Sequence, residues 1–127
     1  MKKMALVALT AVLAVFPALT AEASGGDARA GKQVFTQCAA CHKIDASGTS
    51  GIGPNLNKVV GRRIGTLPGF RYSPAMAGAS RVWTERELDA YLAAPAKTLP
   101  GNKMPYAGMA RPADRQNVIA YIKSASR

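Results

Sequence analysis

Cys38-Ala39-Ala40-Cys41-His42 places two thiols and the chain's one imidazole within five consecutive residues. Two cysteines three apart lie on one face of a helix end. From there their sulfurs can form thioethers with the two vinyl groups of a porphyrin, and C-x-x-C-H is the attachment sequence for c-type haem. His42, the next residue, then points its ring nitrogen at the iron from one side.

Three other chemistries use the same residue types. A redox C-x-x-C of the thioredoxin kind sits between a strand and a helix in a βαβ setting, and no window of this chain alternates in the manner of strands. A structural disulfide across two residues closes too small a loop to stabilise much. A zinc centre would have three protein ligands here and no fourth, because the chain has only two Cys and one His. Covalent haem is the expectation.

With one histidine, the second axial ligand of such an iron must be another residue type: Met76, Met104, Met109 or a lysine. Methionines more often fill core gaps than bind metals. Met104 differs from the others in its setting, Pro100-Gly101-Asn102-Lys103-Met104-Pro105, which is a loop rather than a helix face, far from His42 in sequence. A thioether is a soft ligand that favours reduced iron and raises the potential.

Three segments have the periodicity needed to position these groups. The first predicted helix runs from about Asp27, a capping residue, to Ala40, with Ala30, Val34, Phe35 and Cys38 on one face. The second opens with the capping-box pattern Thr84-Glu85-Arg86-Glu87, carries Leu88, Tyr91 and Leu92 as an apolar stripe, and stops at Pro95. The third begins near Pro112 and runs to about Ser124 with Val118, Ile119, Tyr121 and Ile122 apolar. The fold class is therefore all-α. Residues 43–80 carry seven glycines and three prolines, an unusually long irregular stretch for a small domain. Its apolar side chains (Ile52, Leu56, Val59, Val60, Leu67, Phe70) need something to pack on, and a large rigid ligand inside the loop would supply it.

The 127 residues allow one domain. Lys2 and Lys3 followed by an apolar run from Met4 to Phe16, then Ala21-Glu22-Ala23, have the layout of a secretory signal peptide cut before Ser24. That run is shorter than the ~20 residues a membrane-spanning helix needs. Cleavage would leave residues 24–127 as the mature domain, exported to a compartment where haem attachment occurs. Lys2, Lys3 and Glu22 would go with the leader, leaving 15 basic against 6 acidic residues, or +9. Seven aromatic residues would remain, a thin supply for a core.

The chain resembles a class I c-type cytochrome of the mitochondrial cytochrome c and bacterial cytochrome c2 branch, over nearly all of residues 27–124. Besides Cys38 to His42, the likeness rests on Gly53-Pro54-Asn55-Leu56, Gly61-Arg62, Pro68-Gly69-Phe70-x-Tyr72, Trp83, Tyr91-Leu92 and Pro100-Gly101-x-Lys103-Met104. The resemblance implies the cytochrome c fold, three main helices with short helical turns and long Gly/Pro-rich loops around one haem. It implies iron held by His42 and Met104, with the His42 ring N–H donating to the Pro54 carbonyl. It further implies that Tyr72 and Trp83 hydrogen-bond a haem propionate, that Arg62 offsets its charge, and that Tyr91 touches the Met104 sulfur. Gly31 and Phe35 resemble positions where the first helix crosses the last near Tyr121. Two positions depart from the family pattern: Met76 stands where asparagine is common, and Asn102 where threonine is usual. Both positions help arrange polar contacts and water near the haem.

A pI near 10.1 suits nucleic acid or anionic membranes as well as acidic proteins. In an exported haem protein it points to membrane redox complexes with acidic docking patches, no nucleic acid, and only transient contact with the membrane surface, by a monomer. Lys32, Lys97, Lys103 and Arg111 match family positions around the exposed haem edge, whereas Gln37 and Ala96 stand where the family typically has lysine. The expected function is a periplasmic electron carrier, not an enzyme, between a quinol-oxidising complex and an oxidase or reaction centre. A small haem peroxidase or haem sensor would instead need an easily vacated sixth position. A thiol oxidoreductase would need both sulfurs free.

Overall fold

In a computed structural model the described residues are 25–127 together with Ala11, Leu13 and Ala14. The rest of the expected leader, with its cleavage point before Ser24, lies outside them. Among the described residues five helices follow in order: α1 (Ala28–Phe35), α2 (Pro74–Ala77), α3 (Glu85–Ala93), α4 (Pro95–Thr98) and α5 (Pro112–Ala125). Among the described residues there is no strand, only an isolated antiparallel bridge between Arg63 and Val82. None of these helices is long and apolar enough to cross a membrane.

Each helix starts at a capping side chain, a first-turn proline, or both. Asp27 accepts from the backbone N–H groups of Arg29 and Ala30 and starts α1. Thr84 accepts from Glu87 N–H at 3.0 Å and starts α3. The second half of the predicted capping box is absent: Thr84 N–H donates to the Val82 carbonyl, and Glu87 turns to Arg81 at 3.2 Å. Pro95 ends α3, as its missing N–H requires, and by the same fixed φ it begins α4. Ser73-Pro74 does the same for α2, a four-residue helix inside the stretch that reads as punctuation.

The first helix is shorter than its periodicity suggests. It ends at Phe35, and the chain continues to His42 in tight turns, with Thr36 N–H bonded to Gln33, Cys38 N–H to Phe35, and Cys41 and His42 N–H both to the Cys38 carbonyl. The cysteine motif therefore sits on a coiled strap just past the helix.

The frame is the crossing of α1 on α5. Gly31 is buried at the contact, so close that a Cβ there would stand 1.9 Å from the Asn117 carbonyl oxygen. Phe35 packs on Tyr121 with ring centroids 5.2 Å apart. Asn117 also accepts from Asp27 N–H at 2.8 Å, which fixes the start of α1 to α5. Arg115 of α5 reaches across to Asp89 of α3 at 2.8 Å and donates to the Met109 and Ala110 carbonyls, locking the segment ahead of α5. The core comprises Phe35, Val59, Ile64, Trp83, Leu88, Tyr91, Leu99, Met109, Val118, Ile119 and Ile122.

Of the loop's apolar residues, Val59 is buried while Leu56 and Val60 lie partly buried against the core. Ile52 does not pack: it is 80 % exposed. Arg62 is drawn inward because residues 61–64 pair with 81–83: Gly61 N–H bonds to the Trp83 carbonyl, Trp83 N–H to Arg62, and Ile64 N–H to Arg81.

Candidate haem site

Between the helical frame and the long loop lies a cavity of about 480 Å³. All nine residues singled out from the sequence line it: Cys38, Cys41, His42, Pro54, Arg62, Tyr72, Trp83, Tyr91 and Met104. They come from separate places, and each is held by its own local structure.

His42 follows the turn that carries both cysteines. Its Nδ1 lies 2.8 Å from the Pro54 carbonyl oxygen, so Nδ1–H donates and Nε2 keeps its lone pair for a metal. Burial lowers the imidazole pKa, partly opposed by that hydrogen bond, and so favours the neutral ligating form. Gly53 lets the ring lie flat on the backbone, since a Cβ there would be 2.5 Å from the His42 Cε1. Gly53 N–H donates to Cys41 O and Leu56 N–H to Lys43 O, which tie the Pro54 segment to the motif. Both cysteines are half-buried, and burial together with Cys41 raises the Cys38 thiol pKa.

Met104 enters from the loop after α4. Tyr91 of α3 places its hydroxyl 3.9 Å from the Met104 sulfur and 3.3 Å from Asn102 Oδ1. Burial pushes the Tyr91 pKa up to about 12, so it stays protonated, able to donate, across the physiological range. The other methionines separate cleanly. Met76 also lines the cavity, whereas Met109 is buried in the core with its N–H bonded to the Leu92 carbonyl.

The polar groups sit together. Arg62 donates to the Asn55 carbonyl at 3.0 Å and the Asn57 carbonyl at 3.4 Å, and burial lowers its pKa. Tyr72 accepts from Leu67 N–H at 3.2 Å through its hydroxyl oxygen, leaving its proton free for another acceptor. Trp83 is buried, edge-on to Tyr91 at 5.0 Å.

Sequence reasoning assigned no role to Asn55, which is buried and organises the loop beside His42. Its Nδ2 donates to the Asp45 and Thr49 carbonyls and its Oδ1 accepts from Asn57 N–H. A buried asparagine in a Gly/Pro-rich loop is the signal that could have marked it. Of the four basic residues expected at the haem edge, Lys103 lines the cavity and donates to the Arg71 carbonyl at 3.3 Å. Lys32, Lys97 and Arg111 are exposed on or beside α1, α4 and α5, and Arg111 lies 3.6 Å from Asp114.

The donor set suits a flat, largely apolar iron macrocycle: two thiols and an imidazole on one strap, a thioether from each of two other segments, and a guanidinium and two hydrogen-bonding aromatics for its acidic groups. Among the described residues, no group of three or more His, Cys, Asp and Glu could hold a bare metal ion. The fold and site together define a small helical protein built around one covalent haem.

Comparison with known proteins narrows this. The Cytochrome c family profile matches residues 28–126. The chain is 48 % identical over 103 residues to the cytochrome c-type cyt cy of Rhodobacter capsulatus, covering 80 % of this chain and 51 % of that one, so it spans about half the length of that relative. It is 44 % identical over 97 residues to the cytochrome c2 of Rhodoblastus acidophilus, covering 76 % and 91 %. The solved structure of cytochrome cH from Methylobacterium extorquens superposes with a TM-score of 0.74 at 37 % identity, covering 78 % of this chain and 99 % of that one. The chain belongs to the cytochrome c family. It carries a single haem c bound covalently through Cys38 and Cys41 and serves in electron transport.

Proposed function

We propose that this protein is a periplasmic shuttle: an exported monomer, freed of residues 1–23, that accepts one electron from a quinol-oxidising membrane complex and delivers it to an oxidase or a photosynthetic reaction centre. The observation that carries this reading is that His42 and Met104, a nitrogen and a thioether donor, line one cavity with the cysteine pair. The bound iron supplies a one-electron couple. His42 and Met104 would hold that iron through nitrogen and sulfur in both oxidation states, so little would have to reorganise when charge moves. Pro54 keeps His42 in the ligating tautomer, and Tyr91 steadies the Met104 sulfur. Tyr72 and Trp83 would hydrogen-bond a haem propionate, with the Arg62 guanidinium offsetting its charge. No side chain acts as acid, base or nucleophile.

Optical spectroscopy tests this directly. The purified ferrous protein should be low-spin and should not bind carbon monoxide. Carbon monoxide binding at once on reduction would replace the carrier with a peroxidase or sensor, whose sixth position must open. Haem retained on the polypeptide in denaturing mass spectrometry separates both from a thiol oxidoreductase.

The partner's docking face is acidic. With +9 on the mature chain, long-range attraction steers encounter, and it falls as salt shortens the screening length to ~10 Å at 0.1 M. The bimolecular rate with an acidic redox partner should drop by roughly tenfold or more between low and high salt. A rate independent of salt would remove charge from the docking step.

A further inference from the structure

Asn102 stands where the family usually has threonine, and its surroundings give it more to do than one hydroxyl can. Pro100-Gly101 forms the centre of a tight turn: Gly101 has φ +83°, and Asn102 N–H closes the turn on the Leu99 carbonyl at 3.1 Å. The turn aims the Asn102 amide back under the loop. Its Nδ2 donates to the Pro95 carbonyl at 3.0 Å and the Leu99 carbonyl at 2.8 Å, the first residue of α4 and the one just past its end. Its Oδ1 accepts from Met104 N–H at 2.9 Å and from the Tyr91 hydroxyl at 3.3 Å. Two donors and two acceptor positions are all a side-chain amide has, and all four are used. Only this orientation of the amide satisfies them, since both Nδ2 neighbours are carbonyls and both Oδ1 neighbours are donors. The Met104 carbonyl is occupied as well, accepting from Tyr106 N–H at 2.9 Å.

We infer that Asn102 is the positioning residue of the Met104 ligand loop: one amide fastens the ligand's backbone to α4 and its Tyr91 neighbour to the same point, and thereby sets how readily the sixth position opens. The inference rests on Met104 being the axial ligand. A threonine hydroxyl has a single proton to donate, so it cannot hold both the Pro95 and the Leu99 carbonyls as the Asn102 amide does. An outside ligand must first displace Met104, and its apparent affinity is reduced by the fraction of molecules in which that position is closed. Releasing the loop raises that affinity without any new contact.

Imidazole binding to the ferric holoprotein, followed by absorbance, reads this out. Asn102→Ala should bind imidazole about tenfold more tightly than the parent, the size expected from losing hydrogen bonds to a partly buried amide. Asn102→Asp, isosteric but without donors for the two carbonyls, should do the same and guards against misfolding of the alanine variant. Thr84→Ala, which removes the α3 cap away from the site, should lower the unfolding midpoint and leave imidazole affinity unchanged. Adding Asn102→Ala to Met104→Ala should have no further effect, because the loop then holds no ligand. The inference is overturned if imidazole affinity in both Asn102 variants stays within about threefold of the parent, a difference below one lost hydrogen bond. It is overturned equally if Thr84→Ala raises the affinity as much, or if the increase persists on the Met104→Ala background. A parent lacking the near-infrared sulfur–iron band would instead refute the ligand assignment itself, so the two failures are told apart.

Discussion

On the proposed ligation, replacing Met104 by alanine should remove the weak near-infrared sulfur–iron band, lower the reduction potential, and open the sixth position to small ligands. The fall in potential should be of the order of 0.1 V, a modest share of the ~0.8 V that axial ligation spans. Its sign follows from loss of a soft sulfur that stabilises the ferrous state. The fold should survive. Met104 is only partly buried, and Tyr91 keeps its contact with Asn102 at 3.3 Å when the sulfur is gone. Met76 is the informative alternative, since it too lines the cavity; Met109 does not. If the band persists in Met104→Ala, the sulfur on the iron belongs to Met76, and a Met76→Leu variant would then lose it.

Gly31→Ala should be far more damaging to stability than its single methyl group suggests. The added Cβ meets the Asn117 carbonyl oxygen at 1.9 Å, its carbon at 2.5 Å and the Tyr121 Cβ at 2.8 Å. Two of those three are backbone atoms of α5 and cannot rotate away, so α1 and α5 must separate. That loosens Phe35 from Tyr121 and the Asp27–Asn117 bond together. The expected loss is about 4 kcal/mol or more, a large part of the 5–15 kcal/mol that holds a domain of this kind together. Denaturant unfolding of the holoprotein measures it. A loss under about 1 kcal/mol would mean that the helices cross with room to spare.

The parts of this molecule that were legible in its sequence are those whose chemistry is local. Cys38, Cys41 and His42 announce themselves by spacing, and Asp27, Thr84 and Pro112 mark helix starts because caps and first-turn prolines act within three residues. Apolar periodicity carried the first helix on to Ala40, but that pattern does not distinguish α-helix from the tight turns that follow Phe35, and only the Cys38 and Phe35 carbonyls, each taking two N–H groups, reveal the change. Pro95 was legible as a stop but not as a start, although the same ring does both. The family likeness, not spacing, gathered Pro54, Arg62, Tyr72, Trp83 and Tyr91 around the cysteines; they are brought there by loop pairings such as Arg62–Trp83 that leave no periodic trace. Asn102 was legible only as a departure from the family pattern; its four contacts, to residues from Tyr91 to Met104, left no mark in the sequence.

One consequence follows from the strap between Phe35 and Ser73, which contains no helix and supplies Leu56, Val59, Arg62 and Tyr72 to the cavity wall. Such a segment borrows its rigidity from whatever it encloses. A copy left without its pigment should expose that whole stretch to proteases, whereas a finished copy should present them little more than its surface turns. On that reading the polypeptide carries its own maturation certificate: its survival would itself record that attachment took place.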